Sequence, residues 1–161
     1  MTATIAIEPA DQPEVASLLA LSDQYMAGLY PPEGNFAVDL NALCRPDIAL
    51  VVARLDGRAV GCGAVKMLDR DSAELKRIFV RDDARGHGLG RRILKALEEV
   101  ATSRGIHSIY LETGPLNVEA VKLYQAQGYR QCGPFADYEE NPYSLFMVKS
   151  ARADTQLEIV P

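Results

Sequence analysis

The segment Arg85-Gly86-His87-Gly88-Leu89-Gly90 divides this chain into two parts with different hydrophobic periods. Before it, apolar residues run or alternate in short stretches between turn residues, as strands do. Directly after it, Leu89, Ile93, Leu94, Leu97, Val100 and Ala101 recur at helical spacing. Glycines at 86, 88 and 90 allow the backbone to approach a ligand without β-carbons. The helix that follows offers free N–H groups and the positive end of its dipole. Arg85, Arg91 and Arg92 add formal charge beside that end, which suits a pyrophosphate or a ribose phosphate.

The rest of the chain is read around this turn. Ile5 and Ile7 alternate with small or polar residues and predict an opening strand. From Asp11 as N-cap, Val15, Leu18 and Leu19 predict a helix that weakens towards Met26 and Leu29 and is broken by Tyr30-Pro31-Pro32-Glu33-Gly34-Asn35. A short helix is expected over 39–43, then strands over 48–53, 59–67 and 73–80, with Asp56-Gly57 and Asp69-Arg70-Asp71 as the turns of an antiparallel meander. After the glycine-rich turn and its helix, which Gly105 stops, come a strand over 108–112 and a helix from Asn117 to about Ala126, ended by Gly128. Closing strands follow over 129–132 and 143–148. Helix and strand therefore alternate after an antiparallel start, and the fold class is α/β of the α+β type, not a doubly wound parallel sheet. Residues 1–149 form one domain and 150–161 a C-terminal tail or extra edge strand.

Composition narrows the classes. With 161 residues there is enough chain for one well-buried core, and a net charge of −5 argues against a generic nucleic-acid or anionic-membrane binder. Cys44, Cys62 and Cys132 are odd in number and scattered, which fits reduced thiols better than disulfides or a zinc site. No signal peptide or membrane-spanning run is visible, so a cytoplasmic location is expected, with no metal.

Glycines at alternate positions are weak signals alone. The dinucleotide fingerprint fails because its third glycine position holds Arg91, and no Gly-Lys-Ser or Gly-Lys-Thr exists for a Walker A loop. The segment Arg85-Gly86-His87-Gly88-Leu89-Gly90 does resemble the acetyl-CoA signature of the GNAT (Gcn5-related) N-acetyltransferase superfamily. A second segment, Asn117-Val118-Glu119-Ala120-Val121-Lys122-Leu123-Tyr124-Gln125-Ala126-Gln127-Gly128-Tyr129, is similar to that superfamily's Asn, Ala, Leu-Tyr, Gly-Phe/Tyr stretch. More narrowly, Leu29-Tyr30-Pro31-Pro32-Glu33, Glu74-Leu75-Lys76-Arg77, Leu111-Glu112-Thr113-Gly114, and Cys132-Gly133-Pro134-Phe135 with Ser144-Leu145-Phe146-Met147 resemble a bacterial indole-3-acetic acid acetyltransferase-like branch.

The resemblance implies a GNAT fold: a largely antiparallel sheet of six or seven strands flanked by about four helices, with a splayed parallel pair formed by 73–80 and 108–113. It implies acetyl-CoA as co-substrate. Arg85, Gly86, His87, Gly88, Leu89, Gly90 and Arg91 would lie on its phosphates, and the main chain of Ile78, Phe79 and Val80 on its pantetheine and thioester carbonyl. His87 and His107 are expected to face solvent, His87 too far from the thioester to act as base. Tyr124 would protonate the departing thiolate, with core packing as the competing role. Asn117 would cap its helix and also bond the pantetheine amide.

An attacking amine must be neutral. Glu74 is the first candidate base and Glu112 the second, with a salt bridge to Lys76 or Arg77 the competing fate of Glu74. The acceptor side is expected from the N-terminal helices and two loops, with Tyr30, Glu33, Glu112 and Tyr138 as substrate contacts and Glu139 and Glu140 nearby. The expected partner is a small-molecule amine, with no nucleic acid and no membrane, and a homodimer is left open. Direct transfer in a ternary complex is the leading function. Protein N-terminal or lysine acetylation and a non-catalytic acyl-CoA sensor are the alternatives.

Overall fold

The computed structural model describes residues 2–151. Its elements run β1 (Ala3–Ile7), α1 (Pro13–Ala27), a 3₁₀ turn (Pro32–Gly34), α2 (Leu40–Leu43), β2 (Ile48–Leu55), β3 (Arg58–Met67) and β4 (Ser72–Val80). A 3₁₀ turn (Asp82–Ala84), α3 (Leu89–Ser103), β5 (Ser108–Thr113), α4 (Val118–Ala126), β6 (Arg130–Cys132) and β7 (Leu145–Ser150) follow. One seven-stranded sheet in the order β1-β2-β3-β4-β5-β7-β6 carries the fold, and β4–β5 is its one parallel pair. The mixed architecture expected from the sequence is thus present, with four α-helices on the two sheet faces.

Two boundaries differ for physical reasons. Helix α1 starts at Pro13 with Gln12, not Asp11, as its N-cap. Proline suits the first helical position because its fixed φ is already helical and its missing N–H is one that would lack a partner there. The last strand begins at Leu145, not 143. Asn141 Oδ1 accepts a 2.9 Å bond from the Tyr143 backbone N–H, a turn that delays entry into the sheet. Ser150, placed by the sequence in the tail, ends β7. The remaining tail, 152–161, lies outside the described residues.

The sheet buries both faces. On one, Ala73, Leu75, Ile109 and Leu111 pack against Ile93, Leu94 and Leu97 of α3; on the other, Leu50, Val52, Cys62 and Ala64 pack against Val15, Leu18 and Leu19 of α1. The apolar stripe of α3 read from the sequence is its buried face: Leu89, Ile93, Leu94, Leu97 and Ala101 are all within the core. This helix lies close to β3 because Gly63 has no side chain. A β-carbon there would stand 2.8 Å from Ile93 Cγ2 and 2.9 Å from Leu97 Cδ1.

The feature that shapes the rest is a β-bulge in β4. Between the pairs Cys62↔Phe79 and Ala64↔Lys76 the register slips, so Arg77 and Ile78 together oppose Gly63. Arg77 takes φ 57°, a left-handed conformation that costs a non-glycine residue about 1–3 kcal/mol. Its guanidinium offsets this by anchoring to α1, donating to Asp23 Oδ1 at 2.7 Å and to the Leu19 carbonyl at 3.1 Å. The strand's alternation slips with it: Ala73 and Leu75 face α3 before the bulge, and Ile78 and Val80 face the same side after it. Pairing between β4 and β5 stops at Leu75↔Leu111, so Lys76 to Val80 have no strand partner on that edge among the described residues.

Replacing Gly63 with valine is expected to force α3 off the sheet and to lower stability by about 1–3 kcal/mol in a urea titration. An unchanged midpoint would show that the α3–β3 approach does not depend on this position.

Candidate active site

The divergence of β4 from β5 leaves an open cleft, floored by the strands and walled by α1, the start of α4 and the loops after α1 and β6. Glu74, Lys76, Glu112, Asn117, Tyr124 and Tyr138 all line it. Sequence reasoning placed five of these in the site, and the sixth, Lys76, appeared there only as a salt-bridge partner. Tyr30 and Glu33 are not among the lining residues. Tyr30 is buried, and its hydroxyl accepts a 2.6 Å bond from the Leu116 backbone N–H, where a β-carbon on Gly114 would collide with the ring. It therefore holds the β5–α4 connection in place. Glu33 sits exposed on the 3₁₀ turn.

The turn between β4 and α3 has the geometry its glycines suggested. Gly86 (φ 85°) and Gly88 (φ 72°, the N-cap of α3) are left-handed, and nothing lies within 4 Å of a β-carbon built on either. These two open glycines lead directly into the first turn of a 15-residue helix, an arrangement able to hold a phosphate. His87 is exposed, with Nδ1 3.0 Å from the Ala84 carbonyl, and His107 is exposed at the far end of α3. Arg85 is steered by its neighbours: its Nε donates to the Val80 carbonyl at 3.2 Å, its Nη1 meets Asp82 at 2.9 Å, and its guanidinium lies over the Tyr25 ring. Arg91 is exposed on the first turn of α3.

The two carboxylates differ in their surroundings. Glu74 is almost fully buried and already occupied: its Oε2 accepts from Lys76 Nζ at 2.9 Å and from the Tyr138 hydroxyl at 2.6 Å. Glu112 has no cation in hydrogen-bond contact among the described residues. Its Oε2 accepts a 2.7 Å bond from the Ser144 hydroxyl. Burial pushes the Glu112 carboxyl above the ordinary carboxylate range; the Ser144 bond opposes this, Glu74 adds to it and Lys76 opposes it. Both outcomes weighed for Glu74 were open in the sequence, and the structure shows the ion pair.

Tyr124 is buried, in edge contact with Tyr129, and reaches the cleft from α4. Desolvation, with the nearby Glu112 second, pushes its phenol well above the usual value, so it stays protonated at neutral pH. Asn117 stands at the N-cap of α4 but makes no side-chain cap bond. Its Oδ1 instead lies 3.5 Å from the Tyr25 hydroxyl, which leaves the side chain on the cleft. The expected capping role is therefore corrected: ψ of 70° at Asn117 turns the side chain away from the helix amides.

Lys76, Ser144, Tyr25 and Phe36 are site residues that sequence reasoning did not single out. Lys76 had a signal, since it shares a strand face with Glu74 two residues away. Ser144 lay in a segment that carried the family resemblance but had no signal for its contact with Glu112, and Tyr25 had none, because their neighbours come from distant parts of the chain. Among the described residues there is no cluster of three or more His, Cys, Asp or Glu that could hold a metal, and no helix long and apolar enough to cross a membrane. Burial pushes the Cys62 thiol up to about 12, which leaves it inert as a nucleophile near neutral pH.

Comparison with known proteins agrees with this geometry. The model of the acetyltransferase (GNAT) family matches residues 15–129. The IAA acetyltransferase of Azospirillum brasilense is 42% identical over 147 residues, 91% of this chain and 96% of that protein. YsnE of Bacillus subtilis, named as an N-acetyltransferase, is 36% identical over 84% of this chain and 91% of its own length. Among solved structures, a Klebsiella pneumoniae protein named as an acyl-CoA N-acyltransferase superposes with a TM-score of 0.80 at 31% identity, covering 93% of this chain and 98% of that one. The PaiA N-acetyltransferase of Thermoplasma acidophilum, solved in complex with coenzyme A, has a TM-score of 0.73 at 18% identity over 93% and 99% of the two chains, a likeness of fold. With its family model spanning most of the chain, a splayed β4–β5 pair and an open glycine turn at the head of α3, this protein belongs to the GNAT family and is an acyltransferase.

Proposed function

We propose that this chain transfers acetyl from acetyl-CoA to the amine of a small molecule, by direct attack within a ternary complex. The observation that carries this reading is the open edge of β4 after the bulge, ending beside the uncrowded Gly86 and Gly88 at the start of α3. A diphosphate held by residues 86–90 lets the pantetheine arm run along Ile78, Phe79 and Val80 on the edge of β4 that faces away from β3. That places the thioester at the bulge, with main-chain N–H groups available to its carbonyl oxygen as negative charge develops there. The coenzyme A bound by the PaiA enzyme and the names of the full-length relatives support the same cofactor.

The proton traffic follows from the cleft. An alkyl ammonium with a pKa of about 10.4 is almost wholly protonated near pH 7, so a base must remove a proton before nitrogen can attack. Glu112 takes this part, because Glu74 already accepts from both Lys76 and Tyr138. The neutral nitrogen attacks the thioester carbon, the C–S bond breaks, and sulfur receives a proton from the Tyr124 hydroxyl. The second proton on nitrogen passes through Glu112 and restores Tyr124, while the first leaves to solvent. No residue is acylated, in keeping with the inert Cys62. The single sheet of residues 2–151 forms the one domain that performs the reaction.

Two variants test these parts. Tyr124→Phe is expected to lower kcat by about 10²-fold while the affinity for coenzyme A, read by calorimetry, stays the same. An unchanged kcat would return Tyr124 to packing alone. Glu112→Gln is expected to lower kcat by about 10²- to 10⁴-fold. Because the folded-state pKa of Glu112 is raised, wild type is penalised for ionising it: the penalty is absent below the unfolded value near about 4.3, grows as pH rises through the folded one, and is fully present above it. The glutamine variant should therefore melt no lower than wild type at pH 8. A variant that loses stability at that pH but keeps its rate would mark Glu112 as structural.

A further inference from the structure

The unspent hydrogen-bond capacity of the cleft is unevenly distributed. A lysine ammonium carries three donors. Lys76 gives two of them, to Glu74 Oε2 at 2.9 Å and to the Tyr138 oxygen at 3.2 Å, and its side chain is only 10% exposed. The next residue, Arg77, also lines the cleft. Its Nη1 and Nη2 are committed to Asp23 and the Leu19 carbonyl, yet its Nε is buried with no hydrogen-bond partner among the described residues. A buried donor left over as the Arg77 Nε is, beside a lysine with one proton uncommitted, is uncommon in native proteins and points to a group that completes it. Across the cleft the unspent capacity has the opposite character: Glu112 uses one oxygen for Ser144, and the other has no hydrogen-bond partner among the described residues. The parallel register Leu75↔Leu111 sets Lys76 and Glu112 on facing strands one step beyond the last pair, where the strands begin to part.

We infer that the acceptor is an amino acid, whose carboxylate accepts from Lys76 and Arg77 while its amine faces Glu112. The inference rests on the acetyl-transfer reading above and adds the class of acceptor. A carboxylate brings two acceptor oxygens to two leftover donors, and bonds to charged groups are the strong ones. Glu74 with Lys76 and Asp23 with Arg77 are already neutral pairs, so the carboxylate is held by hydrogen bonds from their cations, and the ammonium is left to meet the Glu112 carboxyl. Room for a side chain lies behind the Glu74–Lys76–Tyr138 cluster, in a second cavity lined by Phe36, Leu68, Ala136 and Tyr138 and bordered by Lys66, Glu139 and Glu140. The Phe36 and Tyr138 rings meet edge to face between the two spaces.

The test is release of coenzyme A thiol from acetyl-CoA with matched pairs that differ only in the carboxylate: phenylalanine against phenethylamine, leucine against isoamylamine, lysine against cadaverine. The wild-type protein should favour the amino acid of at least one pair by on the order of tenfold or more in kcat/KM. Lys76→Met should bring that ratio close to one, mainly through KM. The lower basicity of an α-amine would instead persist in the variant. If losing the cation beside Glu74 prevents folding, the double variant Glu74→Gln/Lys76→Met removes both charges and serves the same purpose. Equal or better turnover of the simple amine in every pair would overturn the carboxylate assignment and leave acetyl transfer intact. Turnover of neither member of any pair, with acetyl-CoA bound, would overturn both.

Discussion

The inserted residue at Arg77 is the constraint on which the rest of this structure depends. A regular β4 would continue its parallel ladder with β5, and the two strands would close against each other. The bulge twists β4 away after Lys76, leaves its outer edge without a strand partner, and directs it towards the glycine turn at the head of α3. The left-handed backbone of Arg77 persists because its guanidinium is tied to α1 through Asp23 and Leu19. Helix α1 thus braces the distortion that opens the site as well as covering one face of the sheet.

Within the opened cleft, local packing assigns different tasks to similar groups. Glu74 and Glu112 are both acidic, both on central strands and both removed from bulk water, yet one is matched by a lysine and a phenol and the other by a single hydroxyl. A carboxylate already held by two donors is committed to them, whereas one whose pKa is raised by burial, with no cation in hydrogen-bond contact among the described residues, holds a proton more readily and is the better suited to take one from an amine. The same uneven satisfaction leaves donors on Lys76 and Arg77 and an acceptor on Glu112, which is the pattern an amino acid would complete.

Much of the fold could be read from local sequence because it depends on period and turn chemistry. The apolar spacing of Leu89, Ile93, Leu94 and Leu97, the Asp56-Gly57 turn and the Gly86 and Gly88 positions each report a near-neighbour property. The bulge also left a trace, since the helix-facing residues of β4 move from odd positions (Ala73, Leu75) to even ones (Ile78, Val80); continuous reading of 73–80 as one regular strand hides that slip. The composition of the site beyond its motifs was less accessible. Ser144 meets Glu112 across 32 positions and Tyr25 meets Asn117 across 92, contacts fixed by strand order and not by local pattern. Tyr30 misled because a proline-rich loop beside a tyrosine suggests a binding surface, whereas the close approach permitted by Gly114 turns that ring inward.

The most direct check on the opened β4 edge is a backbone amide NMR titration of the isotope-labelled protein with coenzyme A. The amides of residues 78–80 and 86–90 should shift together and saturate at one ligand per chain, while those of β1, at the opposite edge of the sheet, stay in place. No shift in either segment at saturating coenzyme A, or shifts confined to residues outside them, would contradict the proposal that this cleft holds the cofactor.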